Sequence, residues 1–203
     1  MSNFETKAIY GKSVLFVMAV PMEYGEALQA RIKPLMCGVG PVEAAMQVTK
    51  ALSEMASKPD LLVSLGSAGS ATLDQGEVYQ VESVSYRDMD ASPLGFTKGV
   101  TPFIEHEIAI PLICPLKGVP TASLSTGANI VSGEAYNSID AQMVDMETFA
   151  IKRVADTFGV SLMGLRGISD GKEELSKYED WTAYLADIDV KLANAVDSLN
   201  NAL

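Results

Sequence analysis

The stretch MVDMETFAIKRVADTFGVSLMGLRGISD, from Met143 to Asp170, decides the fold class. Met143 to Met146 is a short apolar lead-in to a helix expected over Glu147 to Phe158. Gly159 closes that helix as a C-terminal cap, the position where glycine most readily takes a left-handed backbone. Val160 to Leu165 then reads as a strand, an apolar run too short for a second helix. Strand-like and helical periods following each other this closely are the pattern of an α/β architecture.

The same alternation extends outward in both directions. Ser13 to Val20 is a candidate for a fully buried strand. Pro41 opens a helix that runs to about Ala56, and Val42, Ala45, Met46, Thr49, Leu52 and Met55 are expected on its buried face. Asp60 to Leu65 is a second apolar strand, ending in a small-residue loop, Gly66 to Ser70. Glu77 to Tyr86 alternates as a half-buried strand, residues 87–103 read as loop, and Val119 to Leu124 is another strand. A last helix is expected from about Glu179 to Leu199, with Trp181, Tyr184, Leu185, Ile188, Leu192, Val196 and Leu199 near one stripe. No repeat or linker divides the chain. Residues 1–203 are therefore expected to form a single α/β domain with a mixed central β-sheet flanked by helices. In such sheets ligands bind at the carboxyl ends of strands. Pro21-Met22-Glu23, Gly66-Ser67-Ala68-Gly69 and Arg166-Gly167-Ile168-Ser169-Asp170 all fall at those ends.

Composition removes several function classes. With 15 Lys plus Arg against 26 Asp plus Glu, the net charge is −11, and no basic run offers a footprint for nucleic acid or an anionic membrane. The longest apolar run, Val14 to Val20, is too short to span a bilayer, and the start does not read as a signal peptide. Cys37 and Cys114 both sit in apolar settings and read as two buried, reduced thiols of a cytoplasmic protein. His106 is the one histidine, so neither a His-based zinc site nor a 2-His-1-carboxylate iron site can be assembled. A nucleophile elbow and a P-loop are both absent from the sequence. No metal or cofactor is expected, and any chemistry rests on carboxylates.

Three acids stand out. Glu23 lies just beyond a strand, Glu147 at a strand-to-helix junction, and Asp170 at a strand end. Individually each has an ordinary structural role, as a first-turn helix carboxylate or a capping aspartate. Their joint placement at strand ends lets them converge on one cleft. Gly38-Val39-Gly40 is not a dinucleotide fingerprint, because Glu43 occupies the place of its third glycine. It reads as a tight turn whose N–H groups at the helix start are able to face a polar ligand.

Val144-Asp145-Met146-Glu147-Thr148-Phe149-Ala150, followed by Arg166-Gly167-Ile168-Ser169-Asp170, resembles the nucleoside phosphorylase/nucleosidase family, and within it the 5′-methylthioadenosine/S-adenosylhomocysteine nucleosidases. Ala19 to Glu23, Cys37 to Gly40, Leu65 to Gly69, Tyr86 to Asp90 and Val131 to Tyr136 agree in the same order, so the resemblance covers roughly residues 13–200. It implies a nucleoside phosphorylase-like fold and hydrolysis of the N-glycosidic bond of a 5′-modified adenosine, such as methylthioadenosine, S-adenosylhomocysteine or 5′-deoxyadenosine. By the resemblance, Asp170 donates a proton toward N7 of the departing adenine with the help of Ser169, and Glu23 activates water. Glu147 holds the ribose hydroxyls, Met146 packs on the sugar, and Val39, Ser67 and Ala68 line the sugar side. Tyr136 stacks on the base, the backbone near Asn137 reads its edge, and Asp145 is counted with the substrate-binding residues. A homodimer is implied, with the neighbour's Leu94–Phe96 region completing the 5′ pocket. The pathway implied is purine salvage.

That chemistry suits these residue types on its own terms. Cleavage passes through an oxocarbenium-like cation that carboxylates stabilise, and the purine leaves only when protonated. Asp170 must then keep its proton near neutrality while Glu23 stays ionised. Only fourteen residues separate Glu23 from Gly38, fewer than the family usually has, so the sheet is expected to be trimmed near residues 24–37. Asp145 and Glu134 replace the family's usual Glu and Asp, and Ser70 replaces a Gly. Tyr178, Trp181 and Tyr184 are candidates for an aromatic lid. Arg31, Arg87 and Arg166 are the arginines in or near the matched segments and form no arginine-rich phosphate loop, which favours water over phosphate as nucleophile. A purine nucleoside phosphorylase, a hydrolase of a futalosine-like nucleoside and a purine-binding protein without turnover remain the competing readings.

Overall fold

The computed structural model describes residues 4–171 and 177–202. Lys12–Met18 (β2) is the first buried strand, with Val14 to Met18 covered on both faces, as a central parallel strand requires. On one side it pairs antiparallel with Thr6–Ile9 (β1) and parallel with the two-residue Leu35–Met36 (β3), and on the other it runs parallel to Leu61–Gly69 (β4). From β4 the sheet continues through Met143–Asp145 (β8), Thr121–Thr126 (β7), Val78–Tyr86 (β5) and Ala109–Pro111 (β6).

Ser161–Asp170 (β9) turns this mixed sheet back on itself. It runs parallel to β4 and antiparallel to β5, so β4, β9, β5, β7 and β8 close into a ring. Closure between β8 and β4 is a single antiparallel pair, Gly69 with Val144. Inside the ring Ala68, Val81, Leu124, Met143 and Ile168 pack with Phe149. Outside it, alternate residues of β2, β4 and β9 face two helical layers. Phe16, Val63 and Leu165 meet Ile188, Leu192 and Val196 of Leu185–Ser198 (α5). Leu15, Leu62 and Leu162 meet Pro41–Glu54 (α2) and Thr148–Phe158 (α3).

Several expectations are corrected. Gly66 to Gly69 is strand rather than loop, and β9 extends five residues past Leu165. The two small-residue segments are each other's partners, with Gly66 opposite Arg166, Ser67 opposite Gly167 and Ala68 opposite Ile168. A bulge between Ala68 and Gly69 ends that register and brings Gly69 opposite Asp170. Bulges of this kind re-aim side chains beside active sites.

Helix α2 buries Ala44, Val48, Ala51 and Leu52, so the expected Leu52 is in the core, whereas Val42 at 67% and Met46 at 55% exposure face away from it. Small side chains let α2 approach α3 closely. The expected last helix is two, Tyr178–Thr182 (α4) and α5. Cys37 is buried but Cys114 is exposed. The short stretch after Glu23 holds Glu26–Gln29 (α1) and then β3. Asp189 of α5 fixes α1 by accepting the N–H groups of Ala27 (2.8 Å) and Leu28 (3.1 Å). Among the described residues, no helix is long and apolar enough to cross a membrane.

Candidate active site

Strand pairing brings three carboxylates together: the parallel β2 and β9 deliver Glu23 and Asp170, and the antiparallel seam of Gly69 with Val144 brings Glu147 beside them. Glu23 closes a 3-10 turn, Pro21–Glu23, that follows β2. Its Oε1 accepts the Ser67 N–H at 2.7 Å and the Ser67 hydroxyl at 2.6 Å, while Oε2 is buried with no donor among the described residues. Gly66 lies beneath it, where a Cβ would crowd Oε2 at 3.2 Å. Burial raises the Glu23 pKa, and the Ser67 bonds oppose that rise.

Glu147 is the N-cap of α3, with a non-helical φ of −129°. Its Oε1 accepts the Gly40 N–H at 2.8 Å, so this N–H at the start of α2 faces a carboxylate of the chain itself. Gly40 holds that orientation at φ +91°, in the left-handed region that glycine tolerates. Burial first, and then the charge of Asp145, push the Glu147 pKa up to about 7. Asp170 stands just past the bulge on β9. Its Oδ1 accepts the Ser169 hydroxyl at 2.5 Å, and burial raises its pKa. Burial therefore moves all three acids upward, and the expected split between Glu23 and Asp170 is favoured by the two Ser67 donors and the Arg166 charge at Glu23 against the one Ser169 donor at Asp170.

Beneath them lies an acid of the opposite kind. Asp145 forms an ion pair with Arg166 at 3.0 Å and also accepts the hydroxyls of Thr126 (2.6 Å) and Thr148 and the Thr148 N–H (3.0 Å). Arg166, 2% exposed, donates further to Ser64 Oγ (2.9 Å), Thr148 Oγ1 (2.6 Å) and the carbonyls of Ser64 and Leu165. The Asp145 carboxylate is thereby engaged by groups of the protein itself.

These groups border a cavity of about 620 Å³. Of the residues singled out from sequence, Glu23, Val39, Ser67, Ala68, Asp145, Met146, Glu147, Ser169 and Asp170 line it. Tyr136 and Asn137 do not. Asn137 is exposed on the 3-10 segment Gly133–Ser138, and the Tyr136 ring turns inward, with its hydroxyl buried against Gly69 and Asp170 and hydrogen-bonded to none of the described residues. Asn129, Ile130 and Val131 form that wall instead. Val131 opens the Val131 to Tyr136 segment noted from sequence, whereas Asn129 and Ile130 gave no sequence signal.

Arg87 also lines the cavity, but it donates to the carbonyls of Ser125, Asp145, Gly127 and Asn129, and burial lowers its pKa. Of the three lid aromatics, Tyr178 and Trp181 border the cavity and Tyr184 does not. A second cavity of about 10 Å³, the volume of one water-sized sphere, lies among Glu23, Ser67, Glu147 and Arg166. Among the described residues, no group of three or more His, Cys, Asp or Glu is placed to hold a metal ion.

No family model matches the chain. The 5′-methylthioadenosine/S-adenosylhomocysteine nucleosidase of Staphylococcus aureus (strain MRSA252) is 29% identical over 187 residues, covering 82% of this chain and 79% of that protein. Among solved structures, futalosine hydrolase of Helicobacter pylori superposes with a TM-score of 0.79 at 18% identity, covering 94% of this chain and 97% of that one. A putative 5′-methylthioadenosine/S-adenosylhomocysteine nucleosidase of Borrelia burgdorferi B31, bound to adenine, gives 0.78 at 18% identity, covering 94% and 100%. The two structures share the fold of this chain, and the staphylococcal relative aligns with about four-fifths of it. In sequence the chain is similar to 5′-methylthioadenosine/S-adenosylhomocysteine nucleosidases, and in fold to these and to futalosine hydrolase.

Proposed function

We propose that the protein is an N-glycosyl hydrolase that releases adenine from a 5′-modified adenosine: methylthioadenosine, S-adenosylhomocysteine or 5′-deoxyadenosine. One observation carries this reading. Glu23, Glu147 and Asp170 converge from three different strand ends on one cavity, and among the described residues none is paired with Lys or Arg. A merely structural acid is neutralised, as Asp145 is. Uncommitted buried acids are what a developing ribosyl cation and a departing purine require.

Asp170, held above the ordinary carboxylate range, keeps a proton for N7 of the base, and Ser169 occupies its other oxygen. Glu147 accepts the ribose hydroxyls, Met146 packs on the sugar, and Val39, Ser67 and Ala68 flank it. The small cavity beside Glu23 Oε2 is the place for the attacking water, with Arg166 and Ser67 on its walls. The anchoring of Arg166 and Arg87 by protein acceptors supports water over phosphate as nucleophile.

Residues 1–203 act as one cytoplasmic unit in purine salvage. A second copy covers exposed apolar side chains such as Val42, Met46, Leu94 and Phe103, making a homodimer that light scattering will detect. Adenine release from the three nucleosides, and from a futalosine-type nucleoside, tests the activity. Turnover in phosphate-free buffer with free sugar formed is expected. Release only with phosphate makes the enzyme a phosphorylase, and binding without release makes it a purine-binding protein.

A further inference from the structure

Trp181 is the only tryptophan of the chain and stands on α4, with its ring edge-on to Tyr178 at 5.5 Å. It borders the cavity, and its indole N–H donates to Ser67 Oγ at 3.0 Å. An indole nitrogen is a donor only, whereas a serine hydroxyl has one proton to give and lone pairs to receive. Ser67 gives its proton to Glu23 Oε1 at 2.6 Å.

We infer that Trp181 is a positioning residue for Glu23, acting through the Ser67 hydroxyl, an inference that rests on the nucleosidase reading for what Glu23 does. With the indole N–H on a lone pair of Ser67, the hydroxyl proton points at the carboxylate, and the chain of two bonds polarises in one direction. Oε1 is thereby held at two points, by the Ser67 hydroxyl and by the Ser67 N–H, and Oε2 is left facing the small cavity. Three segments distant in sequence, the Pro21–Glu23 turn, β4 and α4, are joined by this chain. Placement of α4 over the cavity and aim of the carboxylate are then one event. The other ionisable groups around Glu23, namely Arg166, Asp145, Glu147 and the Cys37 thiol, belong to elements that the indole does not bond.

Trp181→Phe keeps an aromatic wall and removes the N–H. In adenine release from methylthioadenosine, kcat is expected to fall about 3–10-fold, the worth of one neutral hydrogen bond, with KM little changed. The acid limb of the kcat–pH profile is expected to move up, because ionised Glu23 loses support. Ser67→Ala should lower kcat at least as far, and adding Trp181→Phe to it should lower kcat no further. Unchanged kcat with the whole loss in KM would overturn the inference and make Trp181 a cavity wall only.

A second readout does not depend on the reaction. The single tryptophan gives one indole N–H resonance in the ¹⁵N-labelled protein. That resonance is expected to shift in both Ser67→Ala and Glu23→Gln. If the wild type releases no adenine, the nucleosidase reading fails, yet the resonance still decides the bond chain: no shift in either variant overturns it. Should Trp181→Phe not fold, Ser67→Ala carries both readouts.

Discussion

Asp145 and Glu147 are two residues apart on the same strand-to-helix junction, and the protein treats them oppositely. Asp145 points into the base of the ring, where Arg166, Thr126 and Thr148 satisfy its carboxylate. Glu147 points to the cavity and receives one backbone N–H, and its pKa is lifted to about 7. Glu23 and Asp170 follow the Glu147 pattern. The difference separates a floor built for stability from a rim held at a cost in stability, and both are made of the same functional groups. Enzyme sites commonly show this trade.

The most severe way to break the comparison is at the rim. Asp170→Asn removes the transferable proton and is expected to slow adenine release about 10²–10⁴-fold, measured in single-turnover assays, without loss of the fold. The floor breaks differently. Arg166→Met leaves the Asp145 carboxylate buried and unpaired, and urea unfolding should show a loss of about 3–5 kcal/mol. Adding Asp145→Leu to that variant should recover much of it, since an apolar pair of similar volume is tolerated where half an ion pair is not.

The rim also leaves a signature in pH. Glu147 titrates near 4.5 when unfolded and near 7 when folded, so the folded chain holds that proton more tightly. The contribution favours folding fully below the unfolded value and is lost as pH rises through about 7. Wild-type stability should therefore decline by on the order of 1–3 kcal/mol between pH 4.5 and 8 from this group, and Glu147→Gln should lack that part of the slope in thermal unfolding. The smallest effect is expected at Tyr136. Its buried hydroxyl has no hydrogen-bond partner among the described residues, so Tyr136→Phe should be neutral or stabilise by up to about 1 kcal/mol.

What the sequence revealed followed from local physics. The apolar runs of β2, β4 and β9 announce themselves because both faces are buried, and Gly159 marks the end of α3 with a φ of +67°. Glu23, Glu147 and Asp170 were legible because each stands at a strand end; β2 and β9 run parallel and deliver Glu23 and Asp170 to one side, whereas Glu147 arrives from β8 through its antiparallel seam with β4. What escaped depends on partners distant in the chain. The buried face of α2 was read correctly at Leu52 but not at Val42 and Met46, which outweigh Ala44 and Ala51 in hydrophobicity although it is the alanines that join Val48 and Leu52 in the core. Gly66 to Gly69 looked like a loop because small residues suit turns. In the fold they suit strand positions crowded by neighbouring side chains: a Cβ on Gly69 would meet the Tyr136 hydroxyl, and one on the facing strand at Gly167 would collide with Ile188 of α5. The inward turn of Tyr136 and the engagement of Asp145 have no local signal, since both are set by residues from other strands.

Closure of the ring by one pair, Gly69 with Val144, also orders events in time. A seam of one backbone pair recovers little of the loop entropy it costs until the strands on either side are in place, so it forms late. The helical layers and the β2–β4–β9 core can assemble while that seam is open. Asp170 and Glu147 flank the seam, one on each side of it. On dilution from denaturant, the far-ultraviolet dichroism of the chain should therefore recover before its turnover does.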